Sequence, residues 1–173
     1  MKKALSILLA FFSIMNLAYS QTLKPNSTAH ATRLSFSIKA VGSNNLSVVN
    51  INNAYYDKKP KLPQSALSHF EKSGNNSLLN SFNQVFNNTR VRQLLPENGI
   101  LINYYVSPAG QVLGVSFLLN KTTLLTAGEL EKLEDAIKDN VTFKLHPEET
   151  KGGDFFIITQ VAKYSRVLDK TLR

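Results

Sequence analysis

Apolar and polar residues alternate from Ile100 to Ser107, with Ile100, Ile102, Tyr104 and Val106 on one side and Leu101, Asn103, Tyr105 and Ser107 on the other. A period of two predicts a strand with one buried face. Ser107-Pro108-Ala109-Gly110 follows. Proline presets the first corner of a turn and glycine takes positive φ without a Cβ penalty, so the chain is expected to reverse there. The return strand runs from about Gln111 to Leu119, and its apolar positions change parity between Val112 and the set Val115, Phe117 and Leu119, with Gly114 at the break. A glycine in that position predicts a β-bulge. Thr126 and Glu129 then have the spacing of a capping box, which starts a helix. Leu130, Leu133, Ala136 and Ile137 form its apolar stripe, and Glu131, Lys132, Glu134, Asp135 and Lys138 are expected in water. Val141 to Leu145 reads as a short strand, Lys151-Gly152-Gly153-Asp154 as a turn, and Phe155 to Tyr164 as a long strand.

The same reading applies upstream. Leu34, Phe36, Ile38 and Ala40 alternate with Ser35, Ser37 and Lys39, Gly42-Ser43-Asn44-Asn45 makes a turn, and Leu46 to Ile51 returns. Gln21 to Arg33 is polar and aperiodic and reads as a flexible lead-in, while Asn53 to Pro63 reads as a surface loop. Two helices are expected over Gln64–Lys72 and Ser77–Leu95, the second weakened at Asn87-Asn88-Thr89, where it kinks or ends. The fold class is α+β: a small mixed or antiparallel sheet with helices packed on one face. The segments are a leader over 1–20, the lead-in over 21–33, an N-terminal hairpin plus two helices over 34–98, and a ββαβ unit over 99–173, with 34–173 as one compact unit. The N-terminal hairpin either extends the later sheet or forms a small subdomain.

Over roughly residues 90–165 the chain resembles the C-terminal domain of TonB-type energy transducers. The likeness lies in Ile102, Tyr104 and Val106, in Gly110, Val112, Val115 and Phe117, and then in a helix, a strand with Phe143 and Pro147, a Gly-Gly turn and a closing strand. Leu94-Leu95-Pro96-Glu97 stands where that family usually carries a Tyr-Pro pair. The resemblance implies a periplasmic domain that binds a segment of an outer-membrane transporter by pairing strand to strand.

Met1 to Ser20 has two lysines, an apolar run from Ala4 to Leu17 and small residues at Ala18 and Ser20, the layout of a cleavable export signal. A periplasmic or secreted protein starting at Gln21 is expected, with no membrane anchor after cleavage. The chain has no cysteine, so disulfides, thiol catalysis and cysteine metal sites are excluded. The formal charge of +8 falls to +6 once Lys2 and Lys3 leave with the signal, a mild attraction to acidic surfaces. No nucleic-acid recognition motif accompanies it.

His30, His69 and His146 show no metal-ligand spacing, and Ser107 lacks the flanking glycines of a nucleophile elbow. The carboxylates give no converging pair. The sequence therefore assigns no catalytic residue, no cofactor and no metal, and it points to a non-enzymatic binding protein. The expected partner is an envelope protein such as an outer-membrane receptor, met by strand pairing through Phe155, Ile157, Ile158, Gln160 and Tyr164. The alternative is a glycan or small-ligand site built from Tyr55, Tyr56, Lys58 and Lys59, unless one tyrosine packs on the core and the other on lysine stems.

Overall fold

The computed structural model describes residues 23–62, the backbone of 70–73, and residues 77–172. The export signal expected over 1–20, the first part of the helix expected over 64–72, and His69 lie outside the described residues. The elements are β1 (Ser27–His30), β2 (Ser35–Val41), β3 (Asn45–Asn50), β4 (Phe70–Ser73), α1 (Ser77–Val85), α2 (Asn88–Leu94), β5 (Gly99–Val106), β6 (Val112–Asn120), α3 (Ala127–Asn140), β7 (Thr142–Leu145), the single helical turn α4 (Pro147–Thr150), β8 (Phe156–Lys163) and α5 (Tyr164–Leu168). Six strands form one antiparallel sheet in the order β1-β2-β3-β6-β5-β8, and β4 pairs with β7 beside it. The α+β class read from the sequence holds, and the N-terminal hairpin extends the later sheet, because β3 lies antiparallel to β6.

One face of the main sheet carries the core. Phe36, Ile38, Leu46, Val48, Ile102, Tyr104, Phe117 and Ile158 project from it onto Leu78 and Phe82 of α1, Leu94 of α2, and Leu130, Leu133 and Ile137 of α3. The hairpin turns as the sequence directs: the amide of Gly110, at φ 84°, donates to the Ser107 carbonyl at 2.8 Å. A Cβ at Gly110 would lie 1.8 Å from the carbonyl oxygen of Phe143, so this turn packs directly against β7. Tyr105 pairs with Gly114 and Val106 with Val112, leaving Leu113 as the extra residue of the expected bulge. In the capping box, Thr126 Oγ1 accepts from the Glu129 amide at 3.3 Å and Glu129 Oε2 accepts from the Thr126 amide at 2.9 Å.

Several expectations are corrected. Ser27–His30, expected in a flexible lead-in, pairs with β2 as an edge strand; only Ala29 turns inward, so no apolar alternation marked it. Phe70–Ser73 is a strand where a helix was expected. The expected helix over Ser77–Leu95 is two helices, because the Asn87 side chain accepts from the Arg90 amide at 2.8 Å and caps a second one.

Two carboxylates assigned to water are buried. Glu131 accepts from the amides of Arg33 and Leu34 at 2.8 and 3.0 Å and from Arg33 Nε at 3.3 Å, clamping the β1–β2 turn onto α3. Burial alone would push its carboxyl up, but the two amides and the Arg33 guanidinium together outweigh that and hold it below the usual range. Glu134 is 1% exposed, and its Oε1 accepts from Lys138 Nζ at 2.5 Å and Asn50 Nδ2 at 3.4 Å.

Candidate functional site

The strand order leaves β1 and β8 at the two edges of the main sheet. In an antiparallel ladder, hydrogen-bonded and non-bonded pairs alternate, so one bond fixes which residues face the neighbour. The amide of Tyr164 donates to the Asn98 carbonyl at 3.2 Å, one step beyond the register pair Gly99 and Lys163. Phe156, Ile158, Gln160 and Ala162 therefore bond inward to β5. The backbone N–H and C=O groups of Ile157, Thr159, Val161 and Lys163 point away from the sheet, and no strand among the described residues pairs with them.

That parity separates the residues expected to meet a partner. Phe155, Ile158 and Tyr164 are each 1% exposed or less and pack inside the molecule. Tyr164 is also not part of the strand: it opens α5. Gln160, half-buried on the helix side, accepts from the Tyr104 hydroxyl at 3.4 Å. Ile157 alone of the five has both an outward backbone and a side chain on the face away from the helices. Thr159, Val161 and Lys163 share that position. The sequence marked the strand that holds them, Phe155 to Tyr164, but not these three residues, because its parity could not be fixed without the register.

The face away from the helices is crossed by the segment 51–62. Asn53 Nδ2 donates to the Val115 carbonyl at 3.2 Å, lying over Gly114, where a Cβ would meet the amide at 2.9 Å. The Tyr56 hydroxyl lies 3.0 Å from Ser47 Oγ, and the Tyr55 ring stands 5.2 Å from that of Phe155. Lys39 Nζ sits 5.5 Å above the Tyr56 ring and Lys58 Nζ 5.9 Å above Tyr55. The paired tyrosines thus seal this part of the sheet, and each already has a cation over its ring. Lys59 is exposed beside them.

Beyond this strap the face is half-buried over β5 and β6, with Ser116 buried, and is exposed along β8 at Thr159, Val161 and Lys163. Asn103 Nδ2 donates to Ser116 Oγ at 3.3 Å and Thr159 Oγ1 to Asn103 Oδ1 at 2.8 Å, making a polar row across three strands. The next row, Leu118, Leu101 and Val161, is apolar, and Val161 is 54% exposed. A groove of about 270 Å³ runs along it, with Gly99, Glu97 and Lys163 among its walls. Among the described residues no three His, Asp or Glu side chains stand close enough together to hold a metal ion, and no helix is long and apolar enough to cross a membrane.

No family model matches the chain, and no curated protein matches it. Its fold is similar to that of a DUF5043 family protein from Bacteroides uniformis ATCC 8492 known from a crystal structure, with a TM-score of 0.66, 16% identity, and coverage of 84% of this chain and 89% of that one. At that identity the likeness is one of fold alone.

Proposed function

We propose that this chain is an exported, non-enzymatic envelope protein that captures a protein partner by adding one of the partner's strands to β8. The observation that carries this reading is the outer edge of β8, where four alternate residues of an eight-residue strand present backbone groups that no strand among the described residues pairs. An extended segment laid alongside would satisfy those groups in the manner of other strand-addition complexes. A long regular edge of this kind is otherwise an aggregation hazard that proteins blunt with bulges, charges or prolines. Here only Lys163, at the far end, is charged. The resemblance to TonB-type C-terminal domains supports the same reading, since its implied partner, an outer-membrane receptor segment, is bound through strand pairing.

The test is crosslinking capture from solubilised envelope proteins with the native chain and one variant. Val161→Pro removes one outward N–H and leaves the β5 ladder whole, because proline is tolerated on the free side of an edge strand. Capture of an outer-membrane receptor segment that crosslinks to β8 in the native chain and is lost in Val161→Pro is the expected result. Equal capture by both, with the folded spectrum of each unchanged, would show that β8 is not the contact.

A further inference from the structure

Strand addition explains affinity through backbone bonds that any sequence can make; selectivity has to come from side chains beside the edge. Three features of β8 bear on it. First, Val161 is exposed at the rim of the groove, whose floor is Leu101 and Leu118. Second, Gly99 stands opposite Lys163 in β5, and a Cβ there would lie 2.4 Å from the Ala162 carbonyl oxygen. The close approach of the two strands requires glycine, and Gly99 lines the groove together with Val161. Third, β5, β6 and β8 contain no acidic residue, and Lys163 makes no ion pair among the described residues. The one carboxylate on the groove wall, Glu97, is turned elsewhere: its oxygens accept from Thr123 Oγ1 and from the Leu124 amide, each at 2.6 Å.

From these features we infer that the strand received by β8 carries an acidic residue opposite Lys163 and a large apolar residue opposite Val161. The inference rests on the strand-addition reading. Every pairing in the main sheet is antiparallel, and an added strand continuing that pattern meets Lys163 before Val161 as it runs from its own N-terminus. The partner motif is therefore acidic, any residue, apolar, in that order. Positions two apart point to the same face of a strand, so both side chains fall on the open face. Directly opposed residues have Cβ atoms about 4.5–5.5 Å apart, which puts the apolar side chain on Val161 at the rim of the groove. The carboxylate comes to Lys163, the one cation among the described residues that line the groove. A second copy of the chain is the poorer occupant, because β8 offers no carboxylate to another Lys163 and the chain as a whole carries a formal charge of +8.

The experiment uses the purified protein and three synthetic β-branched peptides: one with glutamate two positions before phenylalanine, one with the order reversed, and one with glutamine in place of glutamate. Binding is followed by fluorescence anisotropy in native, Lys163→Glu and Val161→Pro proteins. The first peptide is expected to bind about fivefold tighter than the other two, an exposed charge pair being worth up to that much. The preference should vanish in Lys163→Glu and return when the peptide's glutamate becomes lysine. Equal binding of all three peptides, lost in Val161→Pro, would overturn the motif and leave strand addition standing. Binding of none of them would overturn the motif together with peptide capture at β8, and a native dimer dissociated by Val161→Pro would show that a second copy occupies the edge.

Discussion

The two edges of the main sheet are built in opposite ways. β1 has four residues, and its ends are tied down: Asn26 Oδ1 accepts from the Ala40 amide at 3.3 Å where the ladder would continue, and the turn after His30 is held to α3 by Glu131. β8 has eight residues and runs without a bulge along β5; just before it Asp154 Oδ1 accepts from the amides of Lys61 and Phe155 at 3.1 and 3.0 Å. The short edge is anchored at both ends to β2 and α3, and the long edge is straight and regular over eight residues. A sheet that needed protection on both sides would treat both alike. On the strand-addition proposal, β1 holds the N-terminal hairpin in place and β8 is the edge left for contact.

The largest effect that would break this contrast is on the inner side of β8. Ile158→Pro removes an N–H that bonds to β5 and a side chain only 1% exposed, and should cost about 4 kcal/mol, enough to unfold a marginal domain. Chemical denaturation measures it, and a loss under 1 kcal/mol would mean the ladder parity argued above is reversed. Next is Glu131→Ala, which leaves two amide donors of the β1–β2 turn without their acceptor and should cost about 3 kcal/mol. Hydrogen exchange should show the amides of Ser27–His30 losing protection while those of β8 keep theirs; loss at both edges together would show that the clamp is not local to β1.

The clamp also has a pH signature. The folded carboxyl of Glu131 lies below its ordinary value, so its contribution is complete above the usual glutamate range and disappears as pH falls through the folded value. The stability gap between the native protein and Glu131→Ala should therefore narrow on acidification, and a gap that widened would contradict the network. Thr126→Ala, removing the cap of the helix that carries Glu131, should cost about 1 kcal/mol by thermal unfolding with both edges intact. Smallest is Val161→Pro, at about 1 kcal/mol or less, because the lost N–H faces away from the sheet. A thermal midpoint close to the native one confirms that side; a collapse would show that β8 uses this group inside the fold.

Much of the central unit was legible because each signal was local. The turn at Ser107–Gly110, the bulge beside Gly114 and the Thr126–Glu129 box each depend on residues within a few positions of one another, and each is present. What escaped the sequence depends on distant partners. Glu131 and Glu134 look like solvent positions on a helix wheel; the arrival of Arg33 and Leu34 satisfies Glu131, while Glu134 keeps Lys138 of its own helix and meets Asn50 from the N-terminal hairpin. β1 needs just one inward side chain, Ala29, so it has no alternation to read. For the candidate site, the sequence marked a strand that does lie at the sheet edge but could not say which of its two residue sets faces outward, since that parity is fixed by the pairing of Asn98 with Tyr164. The paired tyrosines were conspicuous as residues, yet their positions against Ser47 and Phe155 follow from how the segment after β3 crosses the sheet.

β8 passes into α5 with no intervening loop: Lys163 ends the strand, and Tyr164, fully buried, begins the helix. The rail offered by the strand thus has a fixed terminus, set by a phenol ring anchored in the interior. A guest chain sliding along β8 would find its travel limited at Lys163, where the backbone turns away toward the helical side. Lys163 is accordingly a stop as well as a charge, and a recognition scheme that counts residues from that stop needs no further device to set its alignment.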